Sequence, residues 1–197
     1  MTCDLWRATR NQYTRRVYAV LKRNGLTATM LYDFERSLES TRREDEEPDT
    51  RQLSCRVSEL STISSIDPPE MALHPEETVI AAWWGGTPSG YAFVSHNLTL
   101  YIDPLEKEYS FETGYIRRVF VAPEYRNRGI ATKLIQQACT YLSERSATTA
   151  KALIAFDNLP SLNLFRGCGF EAVGYHQYLR VGPFCRRRSK RDSVSSM

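Results

Sequence analysis

The stretch that decides the fold is VAPEYRNRGIATKLIQQA, from Val121 to Ala138. It begins as the end of an apolar run and continues with Ile130, Leu134 and Ile135 at helical spacing. Between these two parts lies a short loop that holds two arginines and a glycine. The pattern therefore predicts a strand that turns into an amphipathic helix at Gly129.

The loop before this helix has the chemistry of an anion site. The first turn of a helix has backbone N–H groups without intrahelical partners and a partial positive charge, and a phosphate satisfies both. Gly129 has no Cβ, so an anion can approach the backbone closely, while Arg126 and Arg128 add attraction. The patterns GxxxxGK[ST] and GxGxxG of two other phosphate loops are absent. The loop is therefore either a diphosphate site or a tight surface turn with incidental arginines.

The first half of the chain predicts helices followed by a hairpin. A helix is expected over NQYTRRVYAVLKRNGL and ends at Gly25, and a second helix is expected over TATMLYDFERSLES, residues 27–40. LSCRVSELS is a weak strand candidate. The runs TVIAAWW and SGYAFVSHN predict a hairpin around the turn signal GGTPSG, whereas LTLYIDPLEKEYSFET is ambiguous.

The second half predicts alternating strands and helices. GYIRRVFVAP is the strand that leads into the helix after Gly129. It is followed by the strand KALIAF, the short helix LPSLNLFRGCG, and the strand FEAVGYHQYLRV with a bulge at Gly174.

Composition indicates one soluble domain. The chain has 197 residues, of which 42% are hydrophobic and 25% charged, with a net charge of +3. Its five cysteines and three histidines are scattered, so we expect no metal site and reduced thiols. No run approaches the roughly 20 apolar residues that span a bilayer, and the start of the chain has no apolar signal core. We therefore expect a cytoplasmic protein without a membrane partner.

Charge runs suggest the domain boundaries. One domain is expected to span residues 1–182, with a mobile insertion over 44–52 in the charged stretch TRREDEEPDTR. Residues 183–197 form a basic, then serine-rich tail that we expect to be disordered. Its CRRRSKR is compatible with nuclear import, which makes the nucleus an alternative location, or with nucleic-acid binding or a solubilising role. Given the mild net charge, we expect no nucleic-acid partner.

A second pattern follows the strand KALIAF. The stretch NLPSLNLFRGCGF places Asn158, Leu164, Phe165 and Gly169 at fixed offsets. Together with VFVAPEYRNRGIAT it resembles the GNAT superfamily of N-acetyltransferases, which has [QR]xxGx[GA] after a strand ending V-x-V, then Asn-xx-Ala-xx-Leu-Tyr-xxx-Gly-Phe. The resemblance covers roughly residues 114–181 tightly, the hairpin loosely and the first seventy-odd residues weakly. It implies an α/β (α+β) fold with a central mixed, mostly antiparallel sheet, splayed middle strands and flanking helices.

The resemblance implies acetyl-CoA as co-substrate. The diphosphate would lie on backbone N–H groups from Arg126 through Thr132, and the pantetheine arm along the strand that carries Val119, whose N–H would polarise the thioester carbonyl. Asn158 would hold the cofactor, and Phe165 would pack near the thiol. The cofactor-binding residues implied in this way are Val119, Phe120, Val121, Arg126, Asn127, Arg128, Gly129, Ile130, Ala131, Thr132, Asn158 and Phe165.

Two positions depart from the family pattern. Phe165 stands where many relatives carry a tyrosine that protonates the leaving thiolate, and Tyr115 stands where some protein-modifying relatives carry a glutamate base. The acid and base roles are therefore unassigned, with Tyr115, Asp157 and Glu112 as catalytic candidates. For Glu112 the pattern favours an exposed surface carboxylate over a catalytic role, whereas Asp157 is equally compatible with a base and with a cap of the next helix.

The resulting functional expectation is an acetyl-CoA-dependent N-acetyltransferase that moves an acetyl group directly to a primary amine. Tyr115 favours a small-molecule acceptor over a protein lysine or N-terminus. A CoA-binding module without catalysis is the alternative, suggested by Phe165 and the missing glutamate. A monomer and a homodimer are both open.

Overall fold

The computed structural model describes residues 20–21, 23–39, 52–66 and 73–191. Of the helix predicted before Gly25 it describes the last turn, and Gly25 has a φ of 77° there. The predicted insertion over 44–52 lies outside the described residues except for its last position. The strands and helices are, in chain order, β1 (Leu26–Ser37), β2 (Leu53–Ser58), α1 (Leu60–Ile63), β3 (Thr78–Trp84), β4 (Thr87–Ile102), β5 (Lys107–Val121), α2 (Ile130–Glu144), β6 (Thr149–Ala155), α3 (Leu159–Gly167), β7 (Glu171–Val181) and β8 (Phe184–Arg191).

All strands belong to one sheet in the order β2-β3-β4-β5-β6-β1-β7-β8. Every neighbouring pair is antiparallel except β5 and β6, which are parallel. These two strands share only two ladder pairs, Gly114 with Ala150 and Tyr115 with Lys151, although β5 continues to Val121. The ladder therefore ends at Tyr115, and the predicted fold class, with its splayed middle strands, is confirmed.

Helices α2 and α3 cover one face of the sheet. The apolar stripe of α2 is buried against β3, β4 and β5, and α3 adds Leu162 and Phe165 to the same core. Helix α2 approaches the sheet closely at Gly114, where an added Cβ would lie 2.5 Å from the side chain of Leu142. Gly114 thus lets the helix pack directly over the point where β5 and β6 part. Within the described residues no helix is long and apolar enough to cross a membrane.

The opposite face of the sheet has two separate coverings. Ile63 of α1 packs on Tyr91 and Phe93 of β4. Farther along, the end of the β4–β5 hairpin folds across the sheet, so that Leu105 packs on Leu31 of β1 and on β7. The stretch that was ambiguous in the sequence is this long hairpin end.

The helix predicted over residues 27–40 is wrong, because Leu26–Ser37 forms β1 and Leu38 and Glu39 follow it outside any helix, while Ser40 lies outside the described residues. Thr27, Leu31, Phe34 and Leu38 are buried, a spacing that mimics one helical face. In the strand the pattern has another origin: β1 lies inside the sheet and both of its faces are covered. Leu31 contacts the hairpin end, and Phe34 contacts the helix side.

The tail predicted to be disordered over 183–197 is wrong for its first half, because Phe184–Arg191 forms β8 and pairs with β7 along its whole length. A turn at Gly182, with φ of 58°, returns the chain to the free edge of β7. Arg187 then donates hydrogen bonds to the carbonyl oxygens of Leu105 and Glu106, at 3.4 and 3.1 Å. Residues 192–197 lie outside the described part. The other strands and helices predicted in the second half are confirmed, including a bulge beside Gly174.

Candidate functional site

Strand β5 is distorted where it leaves β6. Phe93 of β4 pairs with Arg117 and Tyr91 with Phe120, so two residues of β5, Arg118 and Val119, face one residue of β4. Arg118 has a φ of 52°, a left-handed conformation that is uncommon for a residue with a side chain and is often found at functional sites. The bulge begins three residues after the ladder to β6 ends, so this short segment of β5 is distorted on one edge and, within the described parts of the chain, has no strand partner on the other.

The start of α2 opens on a cleft of about 390 Å³, which we call the helix cleft. Gly129 is the N-cap with φ of 76°, no side chain of the described residues caps the helix, and no acidic residue lies in the first turn. The first intrahelical bond recorded at this end runs from the Lys133 N–H to the Gly129 oxygen, at 3.0 Å. An added Cβ at Gly129 would meet no atom within 4 Å. The helix start is thus uncapped and accessible, which suits an anionic group.

The walls of the helix cleft include most residues predicted to bind the cofactor. Arg126 also lies on this cleft, where its Nε donates to the oxygen of Val121 at 3.0 Å. Pro160, Ser161 and Leu164 form the wall on the α3 side, and none of the three was among the predicted residues. The predicted residues that line the cleft are Val119, Phe120, Val121, Arg126, Asn127, Gly129, Ile130, Ala131 and Thr132.

Three predicted cofactor residues lie elsewhere. The Arg128 guanidinium stacks over Trp84, 5.1 Å from the ring centre, and its Nη2 donates to the Glu124 oxygen. Phe165 is buried in the core and packs edge-on against Phe170. Asn158 lies at the start of α3, where its amide donates to the Ser161 hydroxyl at 2.7 Å. Asn158 borders a different cavity.

This second cavity, of about 750 Å³, lies on the sheet face opposite α2, and we call it the hairpin cavity. Its walls come from the hairpin end, from the sheet and from the segment 73–75 before β3. It meets the helix cleft at two points along the chain. On β5, Arg118 borders the hairpin cavity and the next residue, Val119, borders the helix cleft. At the start of α3, Asn158 borders the hairpin cavity and Pro160 borders the helix cleft. The two spaces thus adjoin where β5 and β6 part.

A buried ion pair fixes one wall of the hairpin cavity. The Glu77 side chain has no exposed surface, and its two oxygens accept hydrogen bonds from the Arg117 guanidinium. Glu77 also accepts the backbone N–H of His74 at 2.9 Å. The pair thereby ties the segment that contains His74 to β5. Arg118 beside it donates from Nε to the hydroxyl of buried Tyr91, at 2.9 Å.

Of the three catalytic candidates, Tyr115 borders the hairpin cavity. It is buried and stacks on Phe111, with ring centres 3.8 Å apart. Burial raises the pKa of its hydroxyl above the usual value of tyrosine, and the nearby Arg117 only partly opposes this rise. Tyr115 therefore keeps its proton and can donate a hydrogen bond but cannot act as a base at neutral pH.

The other two candidates do not line either cavity. Glu112 is exposed on β5, three residues before Tyr115. Asp157 is half-buried in the turn between β6 and α3, directly before Asn158. Asp157 is thus the sequence neighbour of Asn158, which borders the hairpin cavity, whereas Glu112 lies on the surface.

The family model for the acetyltransferase (GNAT) family matches residues 30–170, well over half of the sequence. The chain belongs to the GNAT acetyltransferase family. Residues that were predicted from the resemblance and line the helix cleft are therefore residues of a GNAT domain, in the segment where the family pattern is densest.

Two relatives with N-acetyltransferase names and one crystal structure are similar to this GNAT chain. An uncharacterised N-acetyltransferase of Methanocaldococcus jannaschii is 30% identical over 86 residues, which is 44% of this chain and 35% of the relative. Thialysine N-epsilon-acetyltransferase of Sus scrofa is 27% identical over 100 residues, 47% of this chain and 55% of the relative. The chain thus covers about a third and about half of the lengths of these proteins. A crystal structure assigned to the GNAT family from Novosphingobium aromaticivorans covers 79% of this chain and is itself covered to 65%, with a TM-score of 0.55 and 14% identity, which supports the fold.

The GNAT pattern did not reveal the residues that shape the hairpin cavity. Arg117 and Arg118 are consecutive charged residues in an otherwise apolar strand, and this interruption of the apolar pattern could have marked them as functional candidates. Glu77 lies in a run of acidic and proline residues that resembles a solvent-exposed connection, and nothing in the sequence marks it as buried.

Proposed function

We propose that this GNAT chain is an N-acetyltransferase that moves an acetyl group from acetyl-CoA directly to the primary amine of a small molecule. The observation that carries the proposal is the uncapped start of α2, which opens on a cleft that adjoins the hairpin cavity where β5 and β6 part. A donor held at one side of the sheet and an acceptor at the other can meet at this opening.

The residues of the helix cleft fit a CoA diphosphate. The backbone N–H groups of the first turn of α2 and the Arg126 guanidinium would hold its negative charge. The open space in front of Gly129 leaves the phosphates room to approach the backbone. The segment of β5 at Val119, which has no strand partner on the β6 side, would accommodate the pantetheine arm. When bound, acetyl-CoA supplies a thioester carbon for attack.

The reaction needs few groups from the protein. The amine attacks the thioester carbon, so a C–N bond forms, the C–S bond breaks and the thiolate leaves. The amine loses one proton, and the thiolate gains one, from a residue or from water. Tyr115, kept protonated by burial, can donate a hydrogen bond inside the hairpin cavity. An amine with an ordinary pKa near 10 must lose its proton before it attacks.

Release of CoA thiol tests the proposal. The full chain is mixed with acetyl-CoA and a panel of small primary amines, and free thiol is followed with a chromogenic reagent. We expect steady release that depends on the amine, with an acetylated amine of matching amount identified by mass spectrometry. A chain that binds CoA in calorimetry but turns over no amine, lysine peptide or N-terminal peptide would instead be the CoA-binding module. Turnover of the peptides alone would place the acceptor on proteins.

A further inference from the structure

The hairpin cavity is walled mainly by apolar side chains. Leu31 and Leu153 come from the sheet, Leu100 and Ile102 from the hairpin, and Leu73 from the segment before β3. Its volume of about 750 Å³ lies in the usual range of small-molecule sites, roughly 300–1,000 Å³. Each Å² of apolar ligand surface covered by such walls contributes about 25 cal/mol. The walls therefore favour an acceptor with an apolar body.

The charged side chains at the cavity do not favour a second positive charge. Arg117 and Arg118 both border it, and Glu77 neutralises Arg117 from behind. Asp103 is the single carboxylate among the described lining residues, and it lies at the exposed hairpin end. Like charges a few ångströms apart repel each other, and they do so more strongly in a cavity of low polarity than in water. A polyamine would bring extra ammonium groups to these walls.

The same walls promote deprotonation of an amine. Transfer into apolar surroundings disfavours the ammonium form, so the pKa of a buried amine falls. An acceptor with one amino group then enters as the neutral nucleophile without a dedicated base. A polyamine or diamino acid keeps a second charge that must be desolvated in the same space, at a cost of several kcal/mol when unpaired.

We propose that the acceptor is a monoamine whose single primary amino group is attached to a compact apolar body, either an aromatic ring or a branched alkyl chain. This inference rests on the proposed function, since it names the substrate class of the same reaction. It assigns the hairpin cavity as the acceptor site, with the apolar body against Leu31, Leu100 and Leu153 and the amino group toward the opening to the helix cleft.

The first test compares acceptors at fixed acetyl-CoA. 2-Phenylethylamine and isoamylamine are measured against spermidine and thialysine, with initial rates of thiol release giving kcat/KM for each. Covering half of a phenyl-sized group contributes about 1.5 kcal/mol, so we expect the apolar monoamines to exceed spermidine and thialysine, each of which carries more than one ammonium group, by about tenfold or more.

The second test changes the wall. Leu100→Asp places a carboxylate in the hairpin cavity on a half-buried strand position, and Leu73→Asp does the same from a different segment. Each variant should lower kcat/KM for 2-phenylethylamine by about tenfold and raise the ratio of spermidine to phenylethylamine rates. Val57→Asp is the matched control, because Val57 is 56% exposed on β2 and borders neither cavity. It should leave both rates unchanged.

The outcomes separate the two proposals. Turnover that is fastest with spermidine or thialysine overturns the substrate class and leaves the N-acetyltransferase proposal standing. Binding of CoA without turnover of any amine overturns both. If both wall variants fold, shown by an unchanged CoA affinity, and neither alters the preference, the hairpin cavity is not the acceptor site.

Discussion

Placing a negative charge at the start of α2 should weaken CoA binding selectively. Gly129 lies at the N-cap, and its missing Cβ faces open space in the helix cleft. A glutamate at this position is therefore not excluded by a clash. Gly129→Glu removes the unobstructed approach to the first-turn N–H groups and adds a carboxylate where the diphosphate is expected.

The size of the effect follows from charge and conformation. Two like charges about 4 Å apart repel by about 1 kcal/mol in water and by about 4 kcal/mol near a protein surface, or about fivefold to about 800-fold in Kd. A non-glycine residue in the left-handed conformation costs a further 1–2 kcal/mol, roughly, but this cost falls on folding. Gly129→Gln carries the same conformational cost and nearly the same volume without the charge. The ratio of the two variants isolates the electrostatic part.

Calorimetric titration of both variants with CoA and with pantetheine is the assay. We expect Gly129→Glu to bind CoA at least about fivefold more weakly than Gly129→Gln, and both variants to bind pantetheine, which lacks the diphosphate, equally. Thermal unfolding should shift by a similar amount in both. Equal CoA affinity in the two variants would show that the diphosphate does not lie at this helix start.

Three further predictions concern the groups around the hairpin cavity. Because burial raises the pKa of Tyr115, its hydroxyl should stay protonated and initial rates should not fall through its ionisation between about pH 7 and about pH 10. Tyr115→Phe should lower kcat without changing KM for acetyl-CoA, and a variant with full activity removes Tyr115 as a candidate. Arg117→Met leaves the Glu77 carboxylate buried and unpaired, so urea unfolding should show a loss of about 3–5 kcal/mol, and adding Glu77→Gln should recover part of it; additive losses would contradict a coupled pair. Burial raises the pKa of Asp33, whose Oδ1 accepts no hydrogen bond from the described residues, so the native state binds this proton more tightly than the unfolded chain and stability is lost as the pH rises above about 4. Asp33→Asn should therefore unfold at a higher temperature than wild type at pH 7, with the difference vanishing in acid.

The sequence was sufficient to predict the helix cleft because its chemistry is local. The diphosphate site that we propose needs a strand end, an accessible backbone and a helix start within a dozen residues, and Gly129 and its neighbours supply all three in one segment. Three predicted residues are exceptions, and one of them, Asn158, borders the hairpin cavity instead. Arg128 finds an aromatic partner in Trp84, a residue more than forty positions away, and Phe165 faces the core because its place on α3 is turned away from the cleft.

The hairpin cavity could not be predicted because each wall comes from a different part of the chain. The hairpin end that carries Leu100 is placed by contacts of Glu106 with β7 and β8, including the 2.6 Å hydrogen bond from the Tyr178 hydroxyl. β8 itself was expected to be disordered. β1 was mispredicted as a helix for the same reason, because the elements that cover its two faces come from other parts of the chain. A strand that is covered on both faces can have buried positions spaced like those of a helix.

The bulge at Arg118 explains why the two cavities adjoin. On the α2 side β5 must keep a regular apolar surface for helix packing, and Gly114 and Ile116 provide it. The extra residue of the bulge lets the strand change direction after this surface while it stays paired with β4. The ladder to β6 has already ended at Tyr115, so no hydrogen bonds between β5 and β6 oppose this change of direction. A gap therefore opens between the two strands. Arg118 has a strained, left-handed backbone conformation at this bulge, and its hydrogen bond to the hydroxyl of buried Tyr91 stabilises that conformation. The bulge at Arg118 therefore determines where the helix cleft and the hairpin cavity adjoin.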